Sequence, residues 1–152
     1  MYLFFNLIKM PAYMKASEWY GTRQITSGTW AIDDHGCDIM YLISGGKMCL
    51  LVDTGWGISD LPKLIDSLSP LPLIVANSHG HPDHSYGNSL FKGVYIHEAD
   101  RSFISKPPDA DTRRRIIRNA LPKSLPENFH KDTWAATCLL YTSPSPRDRQ
   151  KS

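Results

Sequence analysis

The stretch Ser78-His79-Gly80-His81-Pro82-Asp83-His84-Ser85 brings three histidines and an aspartate into positions 79–84. Neutral imidazole and carboxylate are good ligands for zinc and similar divalent ions. Gly80 gives the backbone freedom between the first two histidines, and Pro82 fixes it ahead of Asp83. His79 and His81 then form one pair of donors, and Asp83 with His84 a second pair aimed at a neighbouring position. The layout suits two ions side by side better than one. The alternative is a polar loop whose histidines only satisfy backbone groups. That would account for a single histidine, but it is a poor account of four donors directly after a buried strand.

The elements that must hold this loop can be read on both sides of it. Leu71–Ala76 is an apolar run with its proline at the start, where a missing N–H is tolerated, and predicts a buried strand. Upstream, Thr29–Ile32 predicts a short strand. Ile39–Ile43 and Met48–Val52 predict two more, joined by Ser44-Gly45-Gly46-Lys47, where glycine admits the positive φ of a hairpin turn. Both runs are apolar throughout, as in strands covered on both faces. Asp53-Thr54-Gly55 closes the second run with turn chemistry. Ser59 or Asp60 can then cap a helix with Pro62 early in it, since Leu61, Leu64, Ile65 and Leu68 recur at helical spacing. Asn77–Asn88 is expected as a polar loop, Val94–His97 as a short strand, and Glu98–Ile104 and Thr112–Ala120 as helices. A hairpin followed by alternating strands and helices predicts an α/β (α+β) fold, a mixed sheet with helices on one face.

His79-Gly-His-Pro-Asp83-His84 resembles the H-x-H-x-D-H loop of the metallo-β-lactamase fold superfamily, and Val52-Asp53-Thr54-Gly55 resembles the strand-ending turn upstream of it in that family. The likeness spans roughly residues 19–105 and looks closest to the glyoxalase-II-like branch of small hydrolases. It implies the N-terminal half of an αββα sandwich. It also implies that His79 and His81 hold a first zinc ion and that Asp83 and His84 hold a second. Asp53 would sit behind them, orienting the ligand loop. Two zinc ions per intact domain would supply a metal-bound hydroxide for cleaving an ester, thioester, lactone or similar bond in a small-molecule substrate, with Asp83 orienting the attacking water. The di-iron branch has Glu where His81 stands, which favours zinc. An iron-dependent, sulfur-dioxygenase-like oxidoreductase and a non-catalytic binding module are the alternatives. The family's further ligands have no matching motif here; His130 lacks the expected surround. Two donors per ion leave each site half built, so the chain by itself is expected to be inactive.

Composition narrows the reading further. At 152 residues, 41% apolar and 21% charged, the chain fits one globular domain. Cys37, Cys49 and Cys138 are too widely spaced for a disulfide scaffold or a cysteine zinc knuckle. The 17 basic and 15 acidic residues differ only through the tail from Cys138, so residues 1–137 carry no net charge. No nucleic-acid or membrane partner is expected, and a cytoplasmic location is.

Residues 1–13 read as an N-terminal extension, with Met14 the expected start and an interfacial anchor the alternative. Residues 14–137 read as the truncated domain. Cys138–Asp148 matches the translation of a transposase-type sequencing adapter, so 138–152 is expected to be an artefactual tail on an N-terminal fragment. Arg113, Arg114, Arg115 and Arg118 read as a solvated helix face, His97 as structural and His35 as a loop residue. Trp19, Trp30 and Trp134 read as packing residues, whereas Trp56 follows the Asp53 turn and could border the site.

Overall fold

The computed structural model describes residues 15–105, 109–121, 125, 127 and 129. The extension 1–13, the tail 138–152, His130 and Trp134 lie outside these. After a short helix, α1 (Ala16–Trp19), four strands run as an antiparallel meander: β1 (Tyr20–Thr26), β2 (Thr29–Asp34), β3 (Ile39–Ser44) and β4 (Cys49–Val52). β5 (Leu73–Ala76) joins β4 in parallel, giving the order β1-β2-β3-β4-β5. A parallel neighbour requires a crossover, and α2 (Leu61–Leu68) supplies it. The Asp60 carboxylate caps α2 by accepting from Lys63 N at 3.1 Å, with Pro62 in the first turn. Leu61 and Ile65 of α2 pack in one core with Ile32, Met40, Leu42, Leu51 and Val75 from the sheet. The fold is a mixed sheet with helices, α+β in class.

Several local expectations need correction. β3 alternates: Met40 and Leu42 are fully buried, while Ile39, Tyr41 and Ile43 are 41–42% exposed. Its apolar run is therefore covered on one face only among the described residues. Tyr41 lies beside Val52 and Ile43 beside Leu50, which carries the apolar surface onto β4. The β3–β4 hairpin does not use positive φ at Gly45 or Gly46. It closes through Gly45 N donating to Met48 O at 2.8 Å. β5 begins after Pro72, whose carbonyl accepts from Cys49 N at 2.8 Å.

β1 had no sequence signal, because every residue after Tyr20 is exposed and Gly21 interrupts the pattern. The strand expected at Val94–His97 reduces to a bridge between Tyr95 and Ala76. Within the expected loop Asn77–Asn88, α3 (Pro82–Ser85) forms one helical turn and runs into a 3-10 turn, Tyr86–Leu90. Downstream, a 3-10 turn (Glu98–Asp100) leads into α4 (Arg101–Ser105), and α5 spans Ala110–Ala120. Among the described residues, no helix is long and apolar enough to cross a membrane.

Candidate metal centre

Asp53 ends β4 in the left-handed region, at φ 68°, a conformation that Asp tolerates better than most residues. Its N–H donates to Ala76 O at 2.8 Å, which ties the turn to the end of β5. Its carboxylate then reaches both ends of the histidine loop. Oδ1 accepts from Ser78 N at 2.7 Å and Oδ2 from Ser78 Oγ at 2.8 Å, while His84 Nδ1 lies 3.0 Å from Oδ2.

The loop curls around that anchor. His81 caps α3 and Pro82 opens it, so Asp83 and His84 fall in its single turn. The His79 ring centroid lies 4.6 Å from that of His81 and 4.1 Å from that of His84. His84 Nε2 lies 3.7 Å from Asp83 Oδ2. The structure therefore brings His79, His81, Asp83 and His84 into one cluster with Asp53 behind it. The His84 carbonyl accepts from Thr54 N at 2.9 Å and Asn77 Nδ2 at 2.7 Å. Asn88 Nδ2 donates to Asn77 Oδ1 at 2.8 Å, and Thr54 Oγ1 donates to Asn88 Oδ1 at 2.8 Å. This chain of buried polar groups fixes α3 against the Asp53 turn.

Gly80 is needed for space rather than for a left-handed φ. A Cβ added there would lie 2.9 Å from Phe103 Cβ and 3.2 Å from Asp100 O.

Sequence reasoning missed Asp38. Its Oδ2 lies 3.3 Å from His84 Nδ1, yet it is buried and accepts no hydrogen bond. Of the two carboxylates facing that nitrogen, Asp53 is the nearer, at 3.0 Å. The usable signal was register: residues 38, 40 and 42 share a face, and Met40 and Leu42 are the inward residues of β3. Burial pushes the Asp38 carboxyl above the usual carboxylate range, and the neighbouring Asp53 and Asp83 push the same way. The Asp34 carboxyl, fully buried behind Asp38, is pushed up to about 6, chiefly by burial and against the hydrogen bonds it accepts. The half-buried Cys37 thiol is pushed up to about 12, first by burial and then by the aspartates around it.

Asp38, Asp53 and His84 each offer a ligand atom, all within 4.8 Å of one another. With three imidazoles in contact, a partly exposed Asp83 and an unsatisfied Asp38 oxygen, this donor set fits a divalent cation. Both Asp53 oxygens accept from Ser78, which ties Asp53 to the start of the histidine loop. Trp56 is 3% exposed, sets its ring edge-on to Tyr86 at 5.6 Å and fills the core instead of bordering the site. His97 accepts from Ala99 N at 3.2 Å, and His35 stacks on Trp19 at 4.4 Å.

Residues 39–101 match the family model described as the metallo-beta-lactamase superfamily. Over that segment the chain is similar to the metallo-beta-lactamase superfamily. Among curated relatives, acyl-coenzyme A thioesterase MBLAC2 of Homo sapiens is 24% identical over 150 residues, covering 88% of this chain and 47% of the relative. The Gallus gallus protein of the same name is 29% identical over 105 residues, covering 60% of this chain and 38% of the relative. The chain spans about half the length of the curated relatives it matches. A metallo-beta-lactamase from Erythrobacter litoralis is similar in structure, with TM-score 0.47 and 18% identity, covering 55% of this chain and 44% of that one. One from Pontibacter korlensis has TM-score 0.47 and 20% identity, covering 59% and 51%.

Proposed function

We propose that this chain carries the histidine-loop half of the centre of a zinc-dependent hydrolase whose substrate is a small-molecule acyl thioester. The observation that carries the reading is the curl of residues 79–84 around Asp53, which gathers three imidazoles and a carboxylate. His79 and His81 would hold one ion, and Asp83 and His84 the other. Bound there, such an ion would supply Lewis-acid chemistry, activating a water toward a pKa of ~7 and polarising a carbonyl oxygen.

The chain's own residues do the rest. Asp53 Oδ2 accepts the Nδ1 proton of His84, leaving Nε2 as the lone-pair nitrogen on the side of Asp83. Asp83, the more exposed carboxylate, would orient the attacking water by accepting a hydrogen bond from it. The thioester is favoured over other acyl compounds because the curated relatives are acyl-coenzyme A thioesterases. Cys37 and Cys49 are free thiols, which supports a reducing compartment, the cytoplasm.

Cobalt binding to this chain, followed by visible absorption, tests the ligands. His79→Ala and His84→Ala are each expected to weaken it at least tenfold, and unchanged binding in both would remove the assignment. Hydrolysis of acyl-coenzyme A by the full-length protein, with metal content measured on the same sample, tests the reaction. No hydrolysis by zinc-loaded protein would overturn it, as would iron as the sole active metal.

A further inference from the structure

We infer that Asp34 is a positioning residue: its buried carboxylate ties the segment bearing Asp38 to the turn bearing Asp53 and so holds His84 in one orientation. Asp34 closes β2 and is completely buried. Its Oδ2 accepts from Trp56 N at 2.7 Å, in the turn that begins at Asp53. Its Oδ1 accepts from the Trp19 indole Nε1, which joins α1 to the same point. Its backbone completes the link to Asp38: Asp34 N donates to Asp38 O at 2.9 Å, and Cys37 N donates to Asp34 O at 3.0 Å. One residue thus holds the β2–β3 loop and the β4 turn, and these two segments present Asp38 and Asp53 to the same nitrogen of His84.

The surroundings are shaped around the carboxylate. A Cβ added at Gly55 would lie 2.3 Å from Asp34 Oδ2, and Gly55 itself sits at φ +62°. Trp19 stacks on His35 within the same loop and on Phe129, so its indole N–H is held in place. A neutral apolar residue would fill this position without the cost of burying a carboxylate. What Asp34 adds is two directed acceptors, each aimed at an N–H on a different segment. Asp34 itself touches neither His84 nor any of the four loop donors in the contacts above, so it acts through Asp38 and Asp53.

The test pairs Asp34→Asn with Trp19→Phe, read by nitrogen-15 NMR of the histidine side chains in the metal-free chain and by cobalt titration. Wild-type His84 is expected as the Nδ1–H tautomer with a single sharp signal. Asp34→Asn, whose amide presents a donor where an acceptor is needed, is expected to broaden or split that signal and to weaken cobalt binding about 10–100-fold. Trp19→Phe keeps a ring in the core but removes the donor to Oδ1, and a smaller change in the same direction is expected. It carries the test if Asp34→Asn does not fold.

A lower melting temperature with an unchanged His84 signal and cobalt affinity within twofold would overturn the inference and leave Asp34 a purely structural residue. Only the cobalt readout rests on the metal reading. If cobalt does not bind even the wild type, that reading fails, and the metal-free nitrogen spectrum still decides the role of Asp34.

Discussion

Alanine at Gly87 would separate the two halves of the candidate centre with one methyl group. Gly87 is buried in the turn after α3, directly against the Asp53 turn. An added Cβ would lie 2.2 Å from Thr54 O, where ordinary contact begins at 3.4 Å, so the two segments must part by about 1.2 Å, the difference. They are joined there by Gly87 N donating to Gly55 O at 3.0 Å and Thr54 N donating to His84 O at 2.9 Å. An opening of that size takes both beyond hydrogen-bonding distance. Each is worth roughly 1 kcal/mol net, and stranding buried groups adds to the loss, so about 3 kcal/mol is expected. The approach is close at Gly57 too, where an added Cβ would meet Gly87 Cα at 2.8 Å. For a chain of this size the loss corresponds to a fall in Tm of roughly 10 °C. Urea unfolding followed by far-ultraviolet circular dichroism measures it, and Gly46→Ala is the control, since a Cβ there meets nothing within 4 Å. His84 lies three residues before Gly87, so its contact with Asp53 should loosen and cobalt binding should fall as well. If Gly87→Ala unfolds within about 0.5 kcal/mol of the Gly46→Ala control, the close-packing argument is wrong.

Three further outcomes follow from the same geometry. Asp53→Ala releases Ser78 and His84 together and should lower zinc affinity about 10–100-fold by calorimetry; an unchanged affinity would deny Asp53 its bracing role. Because the Asp34 carboxyl is raised from 3.8 to about 6, folded protein binds that proton more tightly than unfolded protein. Its contribution is full below pH 3.8 and is lost as pH rises through 6, so the stability of wild type relative to Asp34→Asn should fall by about 2 kcal/mol between pH 4.5 and 7. Parallel curves in urea would contradict this. The Cys37 thiol, pushed up to about 12 by burial and then by the aspartates around it, should react with iodoacetamide at pH 8 far more slowly than a free thiol does; alkylation at the free-thiol rate would contradict this.

What was legible in the chain was whatever short-range chemistry decides. The cap at Asp60 with Pro62 behind it, the buried phase of α2, and the turn at Asp53 all rest on residues a few positions apart. The convergence of His79, His81, Asp83 and His84 was suggested by spacing, but its geometry depends on Asp53, 25 residues before Ser78. β1 was hidden because an edge strand with one buried residue shows no alternation. The Val94–His97 strand was over-read because four suitable residues cannot supply a partner edge; only Tyr95 finds one. Gly45 and Gly46 looked like a positive-φ turn, yet among the described residues the left-handed conformations fall at His35, Gly36, Asp53, Gly55 and Gly57 instead.

Asp34 and Asp38 were silent for a different reason. An acidic residue near a strand end reads as solvent-facing, and in most proteins it is. Here both follow the inward phase of their strands, residue 34 with Ile32 and residue 38 with Met40. Burying these two carboxylates with other aspartates nearby raises their proton affinity and works against the fold. That cost is rational only where the buried oxygens aim something, and each of these is tied to His84: Asp53 by its hydrogen bond, Asp38 by facing the same nitrogen, and Asp34 by joining the two segments that carry them. Two carboxylates facing one nitrogen of a single imidazole, with a third holding their segments together, leave its other nitrogen as the one free to work.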